Sequence, residues 1–113
     1  MEMTVEKIQA IMAEAEQAAK EAATKYFNEV LGGQDRYACG FAWVYIQGIR
    51  GNSKLGNMLK SVGITQDHTR MFKVWNPAKF PCQNVDTLYV GAEAYANVLT
   101  EHGFIVYPYS SLD

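Results

Sequence analysis

Ten consecutive residues, Tyr37 to Ile46 (YACGFAWVYI), carry no charge and alternate in size rather than in polarity. In an extended chain, successive side chains point to opposite sides. Tyr37, Cys39, Phe41, Trp43 and Tyr45 then share one face, and Ala38, Gly40, Ala42, Val44 and Ile46 the other. Both sets are apolar, which predicts an interior strand covered on both sides. The small-residue face admits close approach of another backbone, and the aromatic face supplies bulk.

The rest of the chain reads as elements that cover this strand. Thr4 is placed to cap a helix running to about Leu31, with Met3 and Ile8 as a hydrophobic staple and Gly32-Gly33 as its stop. Glu16 with Lys20 and Glu21 with Lys25 are i,i+4 pairs in the favourable order. Val5, Ile8, Met12, Ala15, Ala19, Ala22 and Tyr26 form a stripe at 3,4 spacing. The stripe is rich in alanine. It suits the small face of the strand, the chain's own sheet, or the same helix of a second subunit. Asn52 or Ser53 can cap a second helix to about Val62, ended by Gly63, and Asn84 or Asp86 a third to about His102. Met71–Trp75 and Phe104–Tyr107 read as two further strands, with Tyr109–Asp113 as a polar tail.

Helix, strand, helix, strand, helix, strand predicts an α/β layer, a small three-stranded sheet covered by helices and joined by right-handed crossovers. An α+β arrangement is the alternative. With 113 residues the chain makes one domain, 1–113, divided into a long N-terminal helix, 1–33, and an α/β core, 37–113.

Hydrophobic residues are 49% and charged residues 19% of the chain, which excludes a disordered protein. The acidic start, MEMTVEKIQ, has no apolar signal core, so cytoplasm is the expected location and Cys39 and Cys82 are expected as reduced thiols. No metal or cofactor pattern is present in the spacing of cysteines and histidines. The net charge of −2 is too small for a DNA mimic. It divides unevenly: −3 over residues 1–36, +5 over 37–79 and −4 over 80–113. A basic middle between acidic ends argues for a local positive surface rather than a binder of nucleic acid polymers. The charges could equally meet across the fold.

The stretch after the strand, Gly48 to Gly56, is a glycine-bracketed turn into a helix with cations at Arg50 and Lys54. Free N–H groups at a helix start beside cations suit an anion, although neither the P-loop nor the G-x-G-x-x-G spacing is present. Arg50, Asn52, Ser53 and Lys54 are therefore candidates for phosphate. Trp75, with Arg70 or Lys73, is a candidate for stacking a ring. Phe80 reads as core. His102 reads as part of a helix end and His68 as an exposed loop residue. Cys82 with either histidine is the one nucleophile–base combination available, since Cys39 is expected in the core.

The motifs CGFAWV (Cys39–Val44), GNSKLG (Gly51–Gly56), WNP (Trp75–Pro77), GAEAYANVL (Gly91–Leu99) and the ending SLD (Ser111–Asp113) resemble a group of small proteins of tailed bacteriophages. The resemblance covers most of the chain after Tyr37 and not the first helix. That group more often has an arginine between the serine and the hydrophobic residue of its ending, which counts against an anion-binding role for this tail. The resemblance implies origin in a phage and brings no activity, cofactor or site residue with it.

Three functions follow as expectations. The first is a non-enzymatic accessory protein of a phage that binds a small anionic, nucleotide-like ligand in the host cytoplasm, with counter-defence as its setting. The second is a protein–protein inhibitor or assembly factor acting through the first helix and the aromatic residues. The third, and weakest, is a small Cys/His enzyme. A homo-oligomer through the N-terminal helix is also expected.

Overall fold

The computed structural model describes residues 2–113. The elements in chain order are α1 (Val5–Glu29), β1 (Gly40–Gln47), α2 (Lys54–Ser61), β2 (Thr65–Gln66), β3 (Phe72–Trp75), α3 (Val85–Glu101) and β4 (Ile105–Leu112). The mixed α/β class stands. The sheet has four strands rather than three, in the order β2-β3-β1-β4. Every neighbouring pair is antiparallel, which leaves β1 parallel to β2 and β3 parallel to β4, so the connections through α2 and α3 each cross over one intervening strand. The strand β1 is interior, as its apolar sequence requires.

The helix starts follow from single side chains. The oxygens of Thr4, Ser53 and Asn84 accept the N–H groups of Lys7, Gly56 and Thr87, each three residues on. Asn84 is itself buried and also accepts from the Thr87 hydroxyl at 2.9 Å.

The helices lie on one side of the sheet. The helix α3 packs on β1 and β4, and α1 packs on α3. Ala15, Ala19 and Ala23 of α1 are fully buried. At Gly91 of α3 an added Cβ would meet the Ala78 Cβ at 2.7 Å and the Ala19 carbonyl oxygen at 3.4 Å. The alanine stripe of α1 is thus used inside the chain, with Gly91 allowing the two backbones to close. The core beneath α3 includes Phe72, Ile46, Val44 and Leu59, all buried. Burial of side chains of this size contributes about 1.5–3 kcal/mol each. Tyr95 is enclosed with them, and burial, helped by the Glu16 charge, pushes its phenol up to about 12.

Stacking α1 on α3 leaves the second side of the sheet without a helix. This corrects the expectation of a strand covered on both faces. Gly40, Ala42, Val44 and Ile46 face the helices and are buried, while Phe41, Trp43, Tyr45 and Gln47 alternate with them and are partly or largely open. The residues read as a polar tail belong to β4, which pairs along the whole of β1, from Gly40 opposite Leu112 to Gln47 opposite Ile105. None of the helices among the described residues is long and apolar enough to cross a membrane.

Candidate functional site

Two loops meet at the end of the sheet where β1 finishes. One joins β1 to α2 and contains Arg50, Gly51 and Asn52. The other is the hairpin between β2 and β3. Together with Ile49, Lys60, Gln66 and Arg70, they line a cleft of about 680 Å³. Three of its lining residues are cations, and none is acidic.

Each loop is tied down. The Arg50 carbonyl accepts from the Ser53 hydroxyl at 2.6 Å and from its N–H at 3.1 Å. The Lys60 ammonium donates to the Gly51 carbonyl at 2.8 Å. Across the cleft, the Gln66 amide donates to the Arg70 carbonyl at 2.8 Å. Gly51 lies against the Gln66 side chain, where a Cβ would collide with the amide. The hairpin closes through Asp67 N–H to the Met71 carbonyl, 3.0 Å, and Arg70 N–H to the Asp67 carbonyl, 2.9 Å. Arg70 takes the left-handed conformation, φ 67°. Turns of this length usually place glycine or asparagine there.

The six cations of the basic middle segment have separate fates. Lys54 pairs with Glu2 at 2.7 Å and Lys79 with Glu16 at 3.3 Å, so those charges do meet across the fold. Lys73 lies over three rings, with its ammonium 4.8 Å from the Trp43 centroid, 4.9 Å from Trp75 and 5.7 Å from Tyr45. Arg50, Lys60 and Arg70 have no ion-pair partner among the described residues, and these three line the cleft.

Of the seven residues expected at a ligand site, the structure brings Arg50, Asn52 and Arg70 together. Ser53 serves as the cap of α2, and Lys54 is engaged with Glu2. Lys73 and Trp75 are on the open sheet face and do not line the cleft. Lys60 and Gln66 were missed. Lys60 stands six residues after Lys54 on a helix read only for its apolar face. Gln66 belongs to a strand of two residues, too short to show alternation.

The open face is the second feature. Trp75, Trp43 and Tyr109 form a row across β3, β1 and β4, with centroids 5.7 and 6.2 Å apart and planes within 12° and 14° of parallel. Tyr45 meets Tyr109 edge-on at 5.2 Å, and Phe41 lies 5.4 Å from Trp75. Tyr107, opposite Tyr45, is also exposed. The Tyr45 hydroxyl donates to Asp67 at 2.6 Å. Asp67 also accepts from the Thr69 N–H at 2.8 Å and from its hydroxyl. These donors hold the Asp67 carboxyl well below the usual carboxylate range, and the carboxylate in turn raises the Tyr45 phenol.

Among the described residues, Cys82 makes no hydrogen bond to His68 or His102. The Cys82 sulfur faces the Asn84 carbonyl at 4.0 Å, and burial pushes its thiol up, away from the thiolate. His102 contacts Glu14 of α1 at 3.1 Å. Cys39, expected in the core, is exposed just ahead of β1, with its sulfur 3.5 Å from the Gln83 side-chain oxygen. Phe80 packs on Phe27 at 5.3 Å, within the apolar interior. No group of metal-ligating side chains occurs among the described residues. A more apolar hollow of about 440 Å³ lies beside Met3, Ile11 and His102. Its one lysine, Lys7, is engaged with the Glu2 carbonyl at 2.7 Å.

Comparison of the chain with family models, with curated proteins and with solved structures gives no match.

Proposed function

We propose that this chain is a non-enzymatic binding protein for a small anionic, nucleotide-like ligand, held in the cleft between the β1–α2 loop and the β2–β3 hairpin. Arg50, Lys60 and Arg70 supply the charge, and Asn52 and Gln66 supply directional hydrogen bonds to oxygen or ring edges. The observation that carries this reading is that these three cations converge on one cleft without a carboxylate, while two other cations of the same segment are paired. A cluster of like charge costs stability unless a counter-ion joins it. The fixed carbonyls of Arg50, Gly51 and Arg70 mean that the backbone of both loops needs little ordering on binding. The phage resemblance sets this activity in the cytoplasm of a host, as an accessory to infection.

Calorimetric titration with pyrophosphate and with nucleoside diphosphates tests the proposal. Binding weakens as salt rises. It falls by roughly tenfold or more in Arg50→Ala and in Lys60→Ala, because each removes a charge-assisted contact. Equal heats for the wild type and both variants would remove the reading. The open aromatic face also favours a role in protein contact.

A further inference from the structure

We infer that the open face of the sheet is a self-association surface, on which a second copy of this chain docks face to face. Phe41, Trp43, Tyr45, Trp75, Tyr107 and Tyr109 make up its centre. Phe41, Trp75, Tyr107 and Tyr109 are exposed at 41%, 52%, 48% and 40%. A ring of this kind can bury about 200 Å². Those four, with their half-buried neighbours, leave on the order of 500 Å² of apolar surface on one face. That is near the upper end for a monomer left uncovered. Two copies meeting there bury on the order of 1,000 Å², the least that a specific interface requires.

The pattern of polarity fits a second copy. Gln47, Thr65 and Ser111 lie opposite Ile105, Lys73 and Phe41, so they stand on the same side as the rings. They give the aromatic centre a polar rim, as interfaces have. The charged groups there are Lys73, seated on three rings, and Asp67, occupied by Tyr45 and Thr69. One of each sign leaves the aromatic centre neutral, with Asp113, two residues past Ser111, at its margin, so the centres of two copies meet without net repulsion. A single-stranded nucleic acid needs a track of cations along its backbone, whereas the aromatic centre of this face carries a single cation, Lys73. A two-fold dimer uses the same patch on both partners, and two antiparallel sheets packed face to face bury their side chains between them in this way. The competing seam, the alanine stripe of α1, is already buried against α3.

Both tryptophans of the chain, Trp43 and Trp75, lie on this face, so their emission reports on its covering. The test is sedimentation equilibrium of the full chain across a concentration series, with tryptophan emission recorded on the same samples. The expected result is a reversible dimer whose formation shifts the emission to the blue. Trp75→Glu and Tyr107→Glu, both at exposed positions that keep the circular dichroism of the wild type, weaken it by roughly 30-fold or more. A chain that stays monomeric with unchanged emission overturns the inference. So does a dimer that ignores both variants. A monomer whose emission responds to oligo(dT) overturns it too, and gives the face to single-stranded nucleic acid.

Discussion

Arg70 occupies a backbone position that suits glycine, with φ 67° at the end of the β2–β3 turn. A side chain there costs about 1 kcal/mol. Residues held in such conformations concentrate where a side chain is needed for function. Arg70→Gly is therefore expected to leave the thermal midpoint unchanged or raise it, while anion affinity falls roughly tenfold. Thermal denaturation and calorimetry on the same preparation check both halves. The adjacent turn residues carry a different duty. In the fold, Asp67 is a brace that gathers the Tyr45 hydroxyl and Thr69, and His68 is exposed. The Asp67 carboxyl is lowered in the folded state from its ordinary 3.8. Its contribution is therefore complete above that pH and is lost as pH falls through the lower folded value. Denaturant titrations below pH 4 should show stability falling with acid in the wild type, and less steeply in Asp67→Asn.

The start of α2 positions the cleft. Gly56 sits one turn into the helix, and an added Cβ would collide with the Arg50 carbonyl oxygen. Gly56→Ala must push the β1–α2 loop outward, costing about 1–3 kcal/mol as overpacking does. It should also weaken anion binding, because Arg50 moves with the loop. Chemical denaturation together with calorimetry separates the two effects. All three helices were legible in the sequence, since their caps and stops are local and strong at Thr4, Ser53 and Asn84. The last strand was legible only over its first residues, to Tyr107, because Pro108 interrupts it. Proline is tolerated there only because β4 is an edge strand, with β1 on one side alone. The orientation of β1 was half legible. Its two sets of side chains were sorted correctly by face, but apolarity on both sides suggested two covers. The deciding fact is that α1 packs on α3, which leaves too few helices for the aromatic side. The period-two tyrosines of β4, Tyr107 and Tyr109, match Phe41, Trp43 and Tyr45 and were the available signal for an open aromatic face.

Across the whole molecule, the uneven charge of the chain sorts into three outcomes. Ion pairs join the segments at Lys54 with Glu2 and Lys79 with Glu16, rings hold Lys73, and the remaining three cations line the cleft. Of the candidate site, the β1–α2 turn was legible because glycines and cations are adjacent in sequence. Its union with the hairpin was not, since Arg70 and Gln66 reach Gly51 only through pairing of β2 with β3. The molecule thus presents a basic cleft at one end of its sheet and an aromatic face across it, and a single experiment distinguishes their roles. That experiment is a nitrogen–proton correlation spectrum of the labelled protein titrated with a nucleoside diphosphate. The amides of Arg50, Gly51, Asn52, Gln66 and Arg70 are expected to move together and saturate, while the indole N–H signals of Trp43 and Trp75 stay in place. Movement of the indoles with a still cleft, or no movement at all, would contradict this.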